Sequence, residues 1–365
     1  MSKAPEAAQK ALDGAFAGGE ALAAPSANLA TERDRNAETT MVDMSTSSAE
    51  TQRATYVPRA TPKKGFDFFF RHASRASAWF VLVLLAGIML SMIVGGWPAF
   101  REMGIGFLTS SVWDTQNDQY GAWPAIVGTL ITALIALVIG VPLSLGIAIF
   151  LTQLAPPWFK RPVSTAIELL AAVPSIIYGM WGLFVFVPLF AKYVQQPVNS
   201  IVEGMPIVGT LFKSASPSGL GILTAGFILA FMIIPFIASI TRDMIDQIPT
   251  VLRESAYGIG ATTWEVVNHV LIPQAGVAII GAVMLGLGRA LGETMAVTFV
   301  VGNANRLSAS LLDPGSTIAS RIANEFNEAI GLQLHALIAL GCILFFVTFV
   351  VLVIARLLVA RVKRY

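Results

Sequence analysis

Residues 253 to 303 read RESAYGIGATTWEVVNHVLIPQAGVAIIGAVMLGLGRALGETMAVTFVVGN. The first part, from Arg253 to Pro273, is polar and helix-forming. The second, from Gly276 to Gly302, is apolar and carries two charges, Arg289 and Glu293. A helical segment in water therefore runs straight into a membrane span. A soluble partner can grip the first half, while the second can touch something crossing the bilayer. The expected fold is organised around that junction.

Working outward, composition sets the class. Of 365 residues, 55% are hydrophobic and 13% are charged, about half the charged fraction of an ordinary soluble domain. Apolar runs of about 20 residues recur, each long enough to cross a hydrocarbon core about 30 Å thick. They are continuously apolar, which excludes a membrane β-barrel with its short alternating segments. The expectation is an all-α integral membrane protein. The lone cysteine, Cys342, lies in an apolar run, so it makes no intrachain disulfide and reads as a buried filler.

Residues 1–62 are rich in Ala, Ser, Thr, Glu and Arg, without a sustained apolar period. Such a stretch buries too little surface to offset the entropy of ordering, and it reads as a disordered cytoplasmic tail. Asp13 and Glu20 interrupt its mildly apolar part, which argues against a signal peptide. Met41 and Met44 leave room for a later start.

Six spans are expected in the domain from 63 to 365: about 78–96, 123–151, 165–190, 221–240, 276–302 and 334–359. Lys63, Lys64, Arg71 and Arg75 precede the first, and Arg356, Arg361, Lys363 and Arg364 close the last. Basic flanks stay on the cytoplasmic side, so both termini are expected inside. Pro142, Pro174 and Pro235 fall within spans and predict kinks. Gly288 and Gly292 form a small-xxx-small pair on the fifth span, which predicts close approach of another helix.

Charges inside spans are costly and usually face a pore or a partner. Glu168 falls near the start of the third span, where it can reach water. Arg289 lies roughly 20 Å into the fifth span at about 1.5 Å per residue, with Glu293 at i+4 on the same face. Two readings stay open: a self-neutralising pair, or an anion site with a carboxylate beside it.

The chain shows no sign of chemistry of its own. Lys213-Ser214 follows Phe212 and lacks the glycine-rich loop of a nucleotide-binding Walker motif. The run from Gly286 to Gly292 has neither the spacing nor the preceding strand of a dinucleotide fingerprint. His72, His269 and His335 are far apart and lack metal-ligand spacing, so no metal site is expected.

Glu254-Ser255-Ala256, then Gly260, then Val270-Leu271-Ile272-Pro273 resembles the E-A-A-x-x-x-G-x9-I-x-L-P pattern of permease subunits of ABC importers. Ser255 and Val270 depart mildly from it. The runs Ile167 to Gly179 and Met284 to Val297 look like those of PstC-type permeases of phosphate importers, a resemblance reaching from about Phe66 to the C-terminus. It implies a type I ABC importer permease fold in the inner membrane and no catalytic residue in this chain. It implies a PstA-type permease partner, two PstB-type ATPase subunits carrying ATP and Mg2+, and a PstS-type phosphate-binding protein. It also implies that Glu254, Ala256, Gly260 and Pro273, within a cytoplasmic segment of about 241–275, couple to the ATPase. Arg289 and Glu293 correspond to the pair implicated in phosphate passage. A sulfate or molybdate permease and an ATP-independent anion carrier are the alternatives.

Overall fold

In the computed structural model, the structure describes residues 64–202, 204–214 and 218–362. The expectation for residues 1–62 lies outside them. Contacts divide the chain into a unit ending at Ala78 and a unit from Trp79 onward. The described part of the first unit is helical, and there the His72 Nδ1 lies 2.9 Å from the Phe68 carbonyl oxygen.

Among the described residues, six helices are long and apolar enough to cross a membrane, at Phe68–Met103, Trp123–Leu154, Ser175–Val202, Ile222–Asp246, Thr263–Leu291 and Leu332–Leu357. The principal elements are α1 (Lys64–Met103), α2 (Trp123–Ile149), α3 (Pro157–Ala171), α4 (Ser175–Trp181), α5 (Ile222–Asp246), α6 (Thr250–Gly258), α7 (Ile272–Leu291), α8 (Met295–Val300), α9 (Ile318–Glu325) and α10 (Leu332–Val362). The span that begins with α4 runs on to Val202 through alternating α and π turns. A two-residue hairpin, β1 (Trp113–Asp114) against β2 (Gln119–Tyr120), lies between α1 and α2.

The bundle is built around α5. Two-thirds of its most apolar window, 67%, is buried, against 28% or less in the other five. Its Ile228, Leu229, Met232, Ile233 and Ile237 form the main core with residues of α2, α7 and α8. Pro142 and Pro235 are accommodated within continuous helices. Near both, Ser144 Oγ donates to Gly140 O at 2.6 Å and reaches Ile234 O of α5 at 3.2 Å. A hydroxyl thus links the two helices, as suits an interior without water.

Three spans differ from expectation. The first runs Phe68–Met103, longer than 78–96, and includes Arg71 and Arg75, which were expected to precede it. The third begins at Ser175 rather than Thr165. Proline disfavours a helical residue before it and offers no N–H, so α3 ends at Ala171 and the chain turns through 172–174 before α4. Glu168 consequently belongs to α3, outside that span. The fifth is not one helix to Gly302: α7 stops at Leu291, and α8 starts at Met295 after a break at 292–294. Gly288 is not a close-approach point within this chain, because a Cβ there would meet nothing within 4 Å. The tight contact is at Gly286, where a Cβ would meet Ile237 at 2.7 Å.

The expected loop after the fifth span is also largely internal. Gly302 and Asn303 adopt positive φ and turn the chain back. Gly315 N–H then donates to Val301 O at 3.0 Å, Leu223 N–H to Leu311 O at 2.8 Å, and Ile318 N–H to Thr129 Oγ1 at 3.0 Å. Leu312, Asp313, Ser316 and Thr317 are buried. These bonds satisfy backbone that burial has removed from water.

Candidate transport site and coupling segment

Arg289 sits in the last turn of α7, half-buried. Its guanidinium lies over the Phe236 ring of α5, 5.7 Å from the centroid. The Tyr178 hydroxyl donates to Leu170 O at 2.8 Å, spanning the α3–α4 break. Close by, a Cβ on Gly179 would meet Ala296 Cα at 2.9 Å, so α4 and α8 pack tightly beside the α7–α8 break. Broken helices of this kind are where membrane proteins admit polar chemistry within the apolar layer.

Glu293 is placed differently from the expected i+4 neighbour. It lies in the 292–294 break, and its Oε1 accepts from Ala296 N–H at 3.3 Å, as a carboxylate does at a helix start. Among the described residues no ion pair joins Arg289 to Glu293. The two charges thus make no direct ion pair in this conformation. The structure brings the two side chains to one region of the bundle with separate attachments.

An apolar cavity of about 530 Å³ lies between α2, α3, α4 and α5, lined by Ile167, Tyr178, Trp181, Phe231 and Ile234. Its walls offer an oxyanion almost nothing in exchange for lost water, which costs several kcal/mol for a charge. Arg289 is not among the residues that line the cavity.

At one end of the bundle, α6 carries Glu254 and Ala256, two of the four residues expected to couple to an ATPase, with Gly260 and Pro273 following it. Glu254 is exposed, whereas Ala256 packs on a small core of Ile245, Val266, Val267 and Leu271. Arg253 Nη2 donates to Ile245 O at 2.7 Å and ties α6 to the end of α5. Gly260 has φ +90°, a backbone conformation that favours glycine, and a Cβ there would meet nothing within 4 Å. Thr262 then starts the next helix with a capping box: Thr262 N–H donates to Glu265 Oε2 at 2.7 Å, and Glu265 N–H to Thr262 Oγ1 at 3.4 Å. Pro273 does not end this element. Residues 263–271 pass through a π turn at Val266–Leu271 directly into α7, where Pro273 sits in the first turn and its missing N–H is tolerated.

Sequence reasoning missed two features here. Val251, Ile259 and Trp264 are exposed at 66%, 88% and 71%, so the segment presents large apolar side chains at its surface. Their signal was present as large apolar residues inside an otherwise polar motif. Beside it, Arg242, with a side chain 9% exposed, pairs with Glu168 of α3 at 2.7 Å and with the adjacent Asp243, while Lys160 of α3 reaches Asp246 at 3.1 Å. These pairs fasten α3 to the end of α5, and nothing in their sequence spacing announces them.

At the other end, Arg321 is buried at 4% exposure. It stacks on Trp113 at 4.6 Å and donates to Glu325 at 3.3 Å and Ser316 at 3.0 Å. Trp113 Nε1 and Gln333 Nε2 also donate to Glu325, at 2.9 and 3.0 Å. Burial holds the Arg321 guanidinium below its ordinary range, opposed by Glu325. Burial, with the Asp118 hydrogen bond, pushes the Tyr120 hydroxyl up to about 12. Asp313 accepts from Ser214 Oγ at 2.9 Å and Ser308 Oγ at 2.6 Å. Among the described residues no three His, Cys, Asp or Glu side chains gather as metal ligands would.

The model for binding-protein-dependent transport system inner membrane components matches residues 140–364, most of the chain, including α6, Arg289 and Glu293. The chain belongs to that family. It is 55% identical over 298 residues to the phosphate transport system permease protein PstC of Pasteurella multocida, covering 82% of this chain and 93% of the relative. It is 51% identical over 319 residues to the protein of the same name from Xylella fastidiosa, covering 85% and 98%. Among solved structures, a bacterial alginate ABC transporter in complex with an alginate pentasaccharide-bound periplasmic protein gives a TM-score of 0.53 at 18% identity, covering 82% of this chain and 96% of that one. At that identity the likeness concerns the fold alone. This multi-pass membrane permease therefore has the helical architecture of ABC importer subunits.

Proposed function

We propose that this permease is the PstC-type subunit of an ATP-driven phosphate importer. The observation that carries the reading is the identity of more than half to relatives named as phosphate permeases over nearly their whole length. The Arg289 site adds chemical support. A guanidinium presents a planar fork of donors that matches a phosphate oxyanion. Glu293, with one oxygen engaged by Ala296, keeps a second that can accept from the P–OH that phosphate retains at neutral pH. Sulfate has no such proton to give.

In this reading a PstA-type permease completes the membrane pathway, two PstB-type subunits hold ATP and Mg2+, and a PstS-type protein delivers phosphate from outside. This chain binds no nucleotide or metal and catalyses no reaction. The α6 end is cytoplasmic, as are both termini with their basic clusters. Closure of the ATPase dimer moves α6 through Glu254 and the exposed Ile259 and Trp264. The Arg253 tie and the core around Leu271 carry that motion into α5 and α7. From Ile272 to Arg289 a rigid helix spans about 25 Å at about 1.5 Å per residue, so the lever reaches the anion site without an intermediary.

The test is reconstitution of the four-component complex in vesicles with inorganic phosphate or sulfate. Phosphate uptake that requires the ATPase subunit, with sulfate excluded, is expected. Uptake of sulfate in preference would assign the chain to another oxyanion, and uptake without the ATPase would remove the coupling role of α6.

A further inference from the structure

Arg289 is held by a ring. Among the described residues no hydrogen bond or ion pair reaches its guanidinium, whereas Arg242, Arg253 and Arg321 all donate to protein oxygens. Its contact is the face of Phe236 at 5.7 Å. Phe236 is half-buried and packs against the main core beside buried Pro235, so its ring is fixed from behind.

The choice of partner has a chemical consequence. A carboxylate holding an arginine occupies the same N–H edge that an incoming oxyanion needs. An aromatic ring instead attracts the cation through its negatively charged face and consumes none of the donors. The guanidinium is thereby fixed in place with its fork still available. The Glu293 carboxylate, four residues on, is drawn aside by Ala296.

We infer that Phe236 is a positioning residue for anion passage: its ring holds the Arg289 guanidinium without taking a hydrogen bond from it, leaving the donors for the oxyanion. The inference rests on the reading that Arg289 meets phosphate, and the experiment separates the two.

The complete transporter is reconstituted with its binding protein and inorganic phosphate, and phosphate moved per ATP hydrolysed is measured. Phe236 is replaced by phenylalanine carrying one and then three ring fluorines, which keep its shape while draining the ring face. Phe236→Leu and Phe236→Trp extend the series at its two ends. The ratio is expected to fall stepwise with fluorination, by roughly two- to thirtyfold across the series, and to be retained in Phe236→Trp. Assembly and ATP hydrolysis stimulated by the binding protein stay unchanged in the fluorinated proteins. A purely structural role for the ring predicts no grading with fluorine. A flat series, or a ratio that rises as the ring weakens, overturns the inference; the latter outcome makes the ring a competitor for the guanidinium. If Phe236→Leu fails to assemble, the fluorinated proteins still decide. Arg289→Gln in the same system tests the reading beneath: normal transport there defeats the anion site itself, whereas loss there with a flat fluorine series defeats the role of Phe236 alone.

Discussion

Arg321 and Arg289 both lie against an aromatic ring, and their other contacts set them apart. Arg321 is buried, stacked on Trp113, and donates to Glu325 and Ser316. Arg289 is half-buried on Phe236 and donates to no protein oxygen among the described residues. The first is a cation whose donors are engaged with protein oxygens and whose face is covered by a ring, joining the β1 hairpin to α9 and the chain before it. The second is a cation brought to one place with its donors unspent. An arginine that only stabilises a membrane protein is expected to resemble the first, since an unpaired charge is costly in an apolar setting.

The comparison breaks most readily at the structural end. Arg321→Leu leaves Glu325 without its cation in a largely buried cluster, a loss of about 3 kcal/mol or more. The expected outcome is a permease that melts much earlier or fails to accumulate in membranes. Pairing it with Glu325→Leu restores part of that stability. A single variant that melts like the parent would show that Arg321, too, is a spare cation.

A smaller effect is expected at the coupling segment. Gly260→Asp forces a side chain into φ +90°, a strain on the order of 1–3 kcal/mol confined to the turn after α6. Insertion persists while uptake falls severalfold and ATP hydrolysis loses its link to transport. Wild-type phosphate transport per ATP in this variant would separate the turn from coupling.

The smallest effect belongs to the rim of the α3–α5 contact. Lys160 and Asp246 have side chains 34% and 36% exposed, and such pairs contribute at most about 1 kcal/mol. Lys160→Ala is expected to melt and transport nearly as the parent does. A large loss of uptake with intact folding would raise that pair from fastening to mechanism.

The six spans were legible because each is a continuous apolar run, and α6 because its polar residues sit between two of them. The breaks were harder to read. Val173-Pro174 looked like a kink in one long span, because Thr165 to Phe190 is apolar enough to hide the end of a helix. Gly292 lies in an apolar run that continues to Gly302, broken after it only by Glu293. Arg289 was visible as a costly charge, but the placing of Glu293 on its face was not secure, because i+4 spacing implies a shared face only while the helix lasts. Asp313 and Arg321 fall between the expected fifth and sixth spans, and their burial was not legible because it depends on distant partners such as Ser214 and Trp113. Phe236 carried no signal of its own among many apolar neighbours.

The account turns on whether Arg289 meets the passing anion or balances Glu293. Arg289→Gln alone and Arg289→Gln with Glu293→Gln are compared for ATP-dependent phosphate uptake in reconstituted vesicles, after assembly with the ATPase is verified for both. A charge-balancing arginine would be made dispensable by removing the carboxylate as well. The account predicts that both variants assemble, hydrolyse ATP and fail to move phosphate. Recovery of uptake in the double variant would contradict it and leave Arg289 as a counter-charge.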